Sequence, residues 1–176
     1  AVSAFLGAGI SALMIFYSDR VHNALMWMVG GLSARSWPHV AMLWPYTLSG
    51  GLLALLSARH LNILQLGDEL AKGLGLRVEL TRLLLTAVAS LLAASAVSVV
   101  GLLGFVGLIV PHACRMALGN DQRLLLPACA LAGGSFLLLA DTLARTVLAP
   151  QQLPVGVLTA LIGVPVFLFL LSRQPK

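Results

Sequence analysis

Long apolar segments alternate with short polar stretches along the whole chain. Because a bilayer crossing needs about 20 helical residues, we interpret these segments as membrane-spanning or membrane-embedded helices. The stretch 18–38, between the first two, contains tryptophan, methionine and charged residues, which is typical of a helix lying at the membrane interface. Six segments are predicted: 1–17, 39–58, 83 to about 103, a shorter one ending at 118, 124–144 and 154–171.

The longest uncharged run is too long for one crossing. Residues 83–114 contain no Asp, Glu, Lys or Arg, and as one helix they would extend about 48 Å at about 1.5 Å per residue. The bilayer core is only about 30 Å thick. Four residues in the run weaken a helix: Gly101, Gly104, Gly107 and Pro111. We therefore predict a turn around 101–107 and, after it, a short, broken segment that ends at Leu118.

The composition supports this interpretation. Hydrophobic residues make up 59% of the 176 residues and charged residues 10%, and the mean hydropathy is +0.97. Soluble domains have about 45–50% apolar and about 25% charged residues, so a water-soluble globular protein is excluded. The predicted fold class is an all-α, polytopic transmembrane helical bundle with about six membrane segments.

The charges indicate orientation in the membrane. The net charge of +5 does not predict nucleic-acid binding, because the basic residues are scattered between apolar runs and form no basic face. Cytoplasmic loops carry an excess of Lys and Arg. With six segments, one side carries Arg59, Lys72, Arg77, Arg82, Arg115, Arg123, Arg173 and Lys176. The other side carries only Arg20, Arg35 and Arg145. This asymmetry predicts that both ends of the chain are cytoplasmic.

The most polar stretch contains a predicted short helix on the cytoplasmic side. Asp68 and Glu69 suit its first turn, Lys72 suits its later turn, and the glycines at 73 and 75 can end it. Leu70 and Leu74 are four residues apart and share one face. A small apolar face held between two spans is a natural docking element for a soluble partner. The alternative is an interfacial connector without a partner.

Other polar residues favour structural roles. Asp141 and Arg145 have the i, i+4 spacing of a local ion pair near the outer end of the fifth segment, although an exposed Arg145 could instead meet an acidic partner. His112 beside the predicted break favours a hydrogen-bonded structural residue. The remaining histidines and the two cysteines do not form a ligand cluster, so no metal site or cofactor is predicted. The phosphate-binding motif GxxxxGK[ST] is absent, so the chain does not bind nucleotide through a P-loop.

Four motifs together resemble one protein family. The runs LLGFVGLIVPHACRMAL at 102–118, DQRLLLPACALAGGSFLLLADTLAR at 121–145 and QLPVGVLTALIGVPVFLFLL at 152–171 have the order and spacing of the FecCD-type permeases of bacterial ABC importers for iron-siderophores, haem and cobalamin. QLGDELAKGLGL at 65–76 resembles the family's cytoplasmic coupling segment. Such permeases have about ten transmembrane helices, so the resemblance implies the C-terminal part of a longer permease.

The resemblance implies a transport subunit of the inner membrane, not an enzyme. One permease domain (1–176) would pair with a second permease chain, a cytoplasmic ABC ATPase dimer that hydrolyses ATP, and a periplasmic substrate-binding protein. Residues 65–82 would form the coupling loop, and Arg145 would meet the binding protein. The ATPase-coupling residues would be Leu66, Gly67, Asp68, Glu69, Leu70, Ala71, Leu74 and Gly75. The helix break along the pathway would include Gly104, Gly107, Pro111 and His112.

Two functions of other classes stay open at this point. A fragment of a secondary transporter would need ion-coupling residues facing a central cavity, and Asp141 is the one acid away from the loops. A membrane scaffold without transport activity is the second alternative. Co-purification of an ATPase bound through residues 66–76 would favour the importer.

Overall fold

In the computed structural model, the described residues form helices joined by short loops, with no strand among them. The described residues are 2–33, 35–147 and 153–172, with the side chains at 12, 18, 19, 22 and 169–172 left out. Arg173 and Lys176, which were counted in the charge asymmetry, lie outside the described residues. The helices are α1 (Val2–Phe16), α2 (Ser18–Val29), α3 (Trp37–Leu56), α4 (Ala58–Leu64), α5 (Asp68–Gly73), α6 (Val78–Val100), α7 (Val106–Leu118), α8 (Gln122–Thr146) and α9 (Val155–Ser172).

Each of the six predicted apolar segments contains a helix. Within the described residues, α3, α6 and α8 are long and apolar enough to cross a membrane, whereas α1, α7 and α9 are shorter apolar helices. Many large apolar side chains on these helices are exposed, which is expected of helices surrounded by lipid or by further membrane helices. The predicted all-α class is confirmed.

The break in the long uncharged run is also confirmed, but it is shorter than the sequence indicates. Helix α6 ends at Val100, and α7 begins at Val106 after the non-helical residues 101–105. Gly104 lies in this break. The prediction was wrong for Gly107, Pro111 and His112, which all lie inside α7.

Phe105 explains the early restart of the helix. It adopts the left-handed conformation with φ 64° at the N-cap of α7, which is uncommon for a residue other than glycine. The side chain of Phe105 packs against Gly163 of α9. A Cβ added to Gly163 would overlap the Phe105 side chain, so this contact needs glycine at position 163. The packing of Phe105 therefore fixes the end of the turn. Pro111 lies well inside α7 and does not end this helix.

Small residues bring the later helices together. Val110 and Cys114 of α7 form a buried cluster with Leu125 of α8. Ala140 and Ala144 of α8 form a second cluster with residues at the start of α9. Alanine and glycine at helix interfaces permit close backbone approach, so α7, α8 and α9 pack as one group, while α3 packs mainly on α6.

Candidate coupling loop and transport surfaces

The short helix predicted in this stretch is present as α5, in the middle of residues 65–82, which we call the coupling loop after the role predicted for it. Asp68 and Glu69 occupy its first turn and Lys72 its last turn. Gly75 has φ 81°, and two hydrogen bonds close the helix end: Gly75 N to Lys72 O at 2.9 Å and Leu76 N to Ala71 O at 3.0 Å. This pair of bonds is a Schellman motif, for which a glycine in the left-handed region is well suited. The sequence therefore fixes where α5 ends.

The two faces of α5 differ in exposure. Ala71 is fully buried, whereas Leu66, Leu70 and Leu74 are 57%, 62% and 64% exposed. Leaving large apolar side chains in water costs free energy, of the order of 1.5–3 kcal/mol each relative to full burial. The loop thus presents a small leucine surface while its alanine side is packed against the protein.

An ion pair joins the coupling loop to the next helix. A guanidinium nitrogen of Arg82 on α6 donates to a carboxylate oxygen of Asp68 at 2.7 Å. Both side chains are more than half exposed, at 59% and 52%, and exposed pairs contribute only about 0–1 kcal/mol. This contact orients α5 but adds little stability.

A second polar contact connects α4 to the beginning of α8. The side-chain amide nitrogen of Asn62 donates to Oδ1 of Asp121 at 2.6 Å. The amide oxygen of Asn62 accepts from the backbone nitrogen of Gln122 at 2.8 Å. Asp121 also caps α8 by accepting from the backbone nitrogen of Arg123 at 3.0 Å. We call Asn62, Asp121 and Gln122 the amide latch.

The hydrogen bonds of the amide latch also act on the carboxyl group of Asp121. The hydrogen bond from Asn62, together with the one from the backbone of Arg123, lowers the pKa of Asp121 below its usual value, because both donors favour the charged form. Sequence reasoning missed the latch and helix α4. An aspartate directly before an apolar helical run is a known N-cap signal, but nothing in the sequence indicates Asn62 as its partner.

The opposite end of the bundle is held by backbone contacts. Gly31 N donates to Val100 O at 2.9 Å, and Gly156 N donates to Gly30 O at 3.2 Å. A Cβ added to Gly30, Gly101 or Gly156 would overlap a backbone carbonyl of a neighbouring segment. We call these three glycines the glycine junction. It fixes the end of α2, the end of α6 and the start of α9 to one another.

Arg145 lies near the glycine-junction end of α8. Its Nε donates to Oδ2 of Asp141 at 2.7 Å, and the two side chains are 44% and 17% exposed. The predicted i, i+4 pair is therefore present. Arg145 remains accessible while Asp141 is largely covered.

An apolar groove of about 740 Å³ lies beside the same junction. Its walls come from the end of α2, from the break after α6 and from α9, and they include Met28, Gly104 and Pro165. Of the predicted break and pathway residues, Gly104 lines this groove, whereas Gly107, Pro111 and His112 do not belong to its lining. Among the described residues, no group of three or more His, Cys, Asp or Glu side chains is arranged to hold a metal ion.

A family model described as the FecCD transport family matches residues 1–173. The chain belongs to the FecCD transport family. This match confirms the resemblance that the four sequence motifs indicate.

Relatives within the FecCD family are transport permeases. The chain is 44% identical over 175 residues to the hemin transport system permease protein HmuU of Yersinia pestis, covering 99% of this chain and 52% of that protein. It is 46% identical over 174 residues to the cobalamin import system permease protein BtuC of Halobacterium salinarum, covering 99% and 47%. The chain spans about half the length of the curated relatives it matches.

A solved structure has the same fold. It is described as an inward-facing conformation of a metal-chelate type ABC transporter, with a TM-score of 0.85 and 30% identity. The match covers 98% of this chain and 56% of that one. The helical bundle described above is therefore the fold of a FecCD-type transporter.

Proposed function

We propose that this chain forms part of the permease subunit of an ABC importer in the bacterial inner membrane. A second permease chain would complete the path, an ABC ATPase dimer would bind the cytoplasmic side, and a periplasmic binding protein would deliver the cargo. The permease itself would have no enzymatic activity. In this orientation the coupling loop and the amide latch face the cytoplasm, and the glycine junction and Arg145 face the periplasm.

The leucine surface of the coupling loop carries this proposal. Leu70 and Leu74 are more than 60% exposed on a helix whose end is fixed by a Schellman motif and whose other side is packed through Ala71. A rigid, exposed apolar element between two spans is a suitable binding site for a soluble partner that moves it. The Asp68–Arg82 ion pair only orients that element against α6, and the amide latch joins α4, the helix that leads into it, to α8.

The proposed cargo is a metal chelate such as a ferric siderophore, haem or cobalamin. This proposal is supported by the names of the relatives, which import hemin, cobalamin and iron(3+)-hydroxamate. The apolar groove between α2 and α9 could form part of the wall of a wide transport path. Such a wall needs no charged side chains to bind the metal, because the chelator already supplies the ligands. Gly104 would contribute to this wall.

Arg145 is the proposed contact for the binding protein. Its guanidinium is 44% exposed at the end of α8 opposite to the coupling loop, where an acidic side chain of a docking protein can reach it. The secondary-transporter alternative is less well supported, because one carboxylate oxygen of Asp141, Oδ2, already accepts a hydrogen bond from Arg145 at 2.7 Å.

The test replaces both exposed leucines by aspartate, Leu70→Asp with Leu74→Asp, in the full-length permease. Because two buried charges in an apolar docking surface are unfavourable, we expect ATP-driven uptake to fall by at least about tenfold. The protein should remain in the membrane at its normal level. A matched control is Leu70→Met with Leu74→Met, which changes the same two side chains but keeps the surface apolar and should retain uptake.

Uptake and ATPase co-purification are measured together. The proposal predicts that the double variant loses both the bound ATPase and uptake, while the control retains both. Normal ATP-driven uptake by the double variant would refute the coupling role of the loop.

A further inference from the structure

The amide latch joins two parts of the chain that are far apart in sequence. Asn62 and Asp121 are 59 positions apart, and Asn62 and Gln122 are 60 positions apart. Asn62 lies on α4, which leads directly into the coupling loop, and its two partners are the N-cap and the first residue of α8. We call α4 together with the coupling loop the coupling region. The latch is therefore a direct polar contact between the coupling region and α8.

Both halves of the Asn62 amide are used in this contact. The NH₂ group donates to a carboxylate, and the carbonyl oxygen accepts from a backbone N–H group that α8 cannot satisfy within itself. Hydrogen bonds to a charged group are stronger than neutral ones. Because donor and acceptor must both be placed correctly, the latch fixes the orientation of α4 against α8 as well as their distance.

The helix that the latch grips extends to the other end of the molecule. Helix α8 contains 25 residues and is about 37 Å long at about 1.5 Å per residue. Arg145 lies in its last turn. Helix α8 is uninterrupted from Gln122 to Thr146, with Pro127 near its start, so a displacement at the Arg145 end can reach Asp121 without crossing a loop.

The other polar tie of the coupling region has a different geometry. The Asp68–Arg82 pair is exposed on both sides and joins α5 to α6, the next helix along the chain. Exposed ion pairs contribute little free energy, so this pair couples the position of α5 only weakly to that of α6. Of these two ties, the latch alone joins the coupling region to the helix that carries Arg145.

We propose that Asn62 is a positioning residue that links movement of the coupling loop to movement of α8, and through α8 to the binding-protein side. This inference rests on the proposed function. Asn62 contacts neither cargo nor ATPase in this role; it acts through Asp121 and Gln122. Loss of the Asn62 side chain should weaken the stimulation of ATP hydrolysis by the binding protein without abolishing ATP hydrolysis itself.

The experiment uses the full-length permease with its ATPase subunits in nanodiscs. ATP hydrolysis is measured without and with cargo-loaded binding protein, and the ratio of the two rates is the readout. Asn62→Ala removes both latch contacts and is expected to lower the ratio by at least about threefold, with a basal rate within about twofold of wild type. Asn62→Asp places two carboxylates together and should lower the ratio further.

A reciprocal exchange tests the latch chemistry directly. Asn62→Asp combined with Asp121→Asn again pairs one amide with one carboxylate and is expected to recover most of the ratio. Arg82→Ala is the control for the neighbouring tie and should leave the ratio unchanged. If Asn62→Ala fails to assemble, the exchange variant compared with Asn62→Asp decides the question.

The outcomes separate this inference from the proposed function. An unchanged ratio in Asn62→Ala, a parallel fall of basal and stimulated rates, or no recovery in the exchange variant would overturn the role of Asn62 while leaving the importer intact. Absence of any stimulation in the wild-type complex would overturn both proposals. A selective fall in the ratio with recovery on exchange would support the inference.

Discussion

The two ends of the helical bundle are held together by different chemistry. At the glycine junction, backbone meets backbone: Gly31 N bonds to Val100 O, and Gly156 N bonds to Gly30 O. At the amide latch, one asparagine side chain holds a capped helix start through Asp121. The junction end is held by backbone contacts that glycines permit, whereas the latch end is held by the side chain of Asn62.

This difference indicates which end can change shape. The junction glycines are buried, and packed backbones have little room to slide, because interiors are close-packed. The latch side chains are half-buried or exposed, so directional hydrogen bonds, and not close-packed backbones, join α4 to α8. We therefore expect the junction to resist any change of shape, whereas at the latch end α4 and α8 stay joined but can move together relative to the other helices.

The largest expected effect is at the junction. Gly156→Ala would place a methyl group against the carbonyl oxygen of Val29, and overpacking of this kind costs about 1–3 kcal/mol or more. We expect a loss of at least about 2 kcal/mol in the stability of the full-length permease, measured by thermal unfolding in detergent.

Its matched control is Gly51→Ala in α3. A Cβ at Gly51 would meet nothing within 4 Å, and alanine favours helix relative to glycine by about 1 kcal/mol. This variant should be neutral or stabilising. Equal stability of the two alanine variants would contradict the claim that the junction is closed by backbone contacts.

A smaller effect is expected at Arg145, which lies at the junction end but does not take part in the junction. Arg145→Glu leaves the backbone contacts untouched but also removes the ion-pair partner of Asp141, so it is compared with Asp141→Asn, which breaks the same pair and keeps the arginine. We expect binding of the binding protein to weaken by about tenfold at low salt. Salt screens exposed charges, so the difference should shrink in high salt. Arg20→Glu is the control with the same charge change. Unchanged affinity of Arg145→Glu at low salt would count against the docking role.

The smallest expected effect is the pH response of the latch. The hydrogen bond from Asn62 lowers the pKa of Asp121 in the folded state, so its contribution to stability is present above the ordinary aspartate pKa of about 3.9 and is lost as pH falls through the lowered pKa. Asp121→Asn keeps the cap but removes this titration. We expect the melting temperature of wild type to exceed that of Asp121→Asn at neutral pH. The gap should close on acidification, and a gap that is constant with pH would contradict this.

The sequence predicts much of this fold for physical reasons. Apolar runs of membrane length identify the spans, and the acidic start and the glycine at position 75 correctly predict where α5 begins and ends. The spacing of Asp141 and Arg145 correctly predicts their ion pair. Each of these features depends on residues that are close together in the sequence, so the sequence pattern alone predicts it.

Contacts between distant segments could not be predicted in this way. Asn62 reads as one polar residue in a polar stretch, and its role depends on Asp121 being brought to it by the packing of α4 on α8. The extent of the break after α6 depends on Phe105 meeting the bare surface of Gly163. For this reason the sequence placed Gly107, Pro111 and His112 in the break, whereas tertiary packing keeps them helical.

We propose that this chain is part of a gate that a separate ATPase moves. The most direct measurement is cargo uptake into proteoliposomes that contain the full-length permease, with the ATPase subunits and ATP each present or omitted. The account predicts uptake only when ATPase, ATP and cargo-loaded binding protein are all present. Cargo accumulation by the permease alone, without nucleotide or companion subunits, would contradict it.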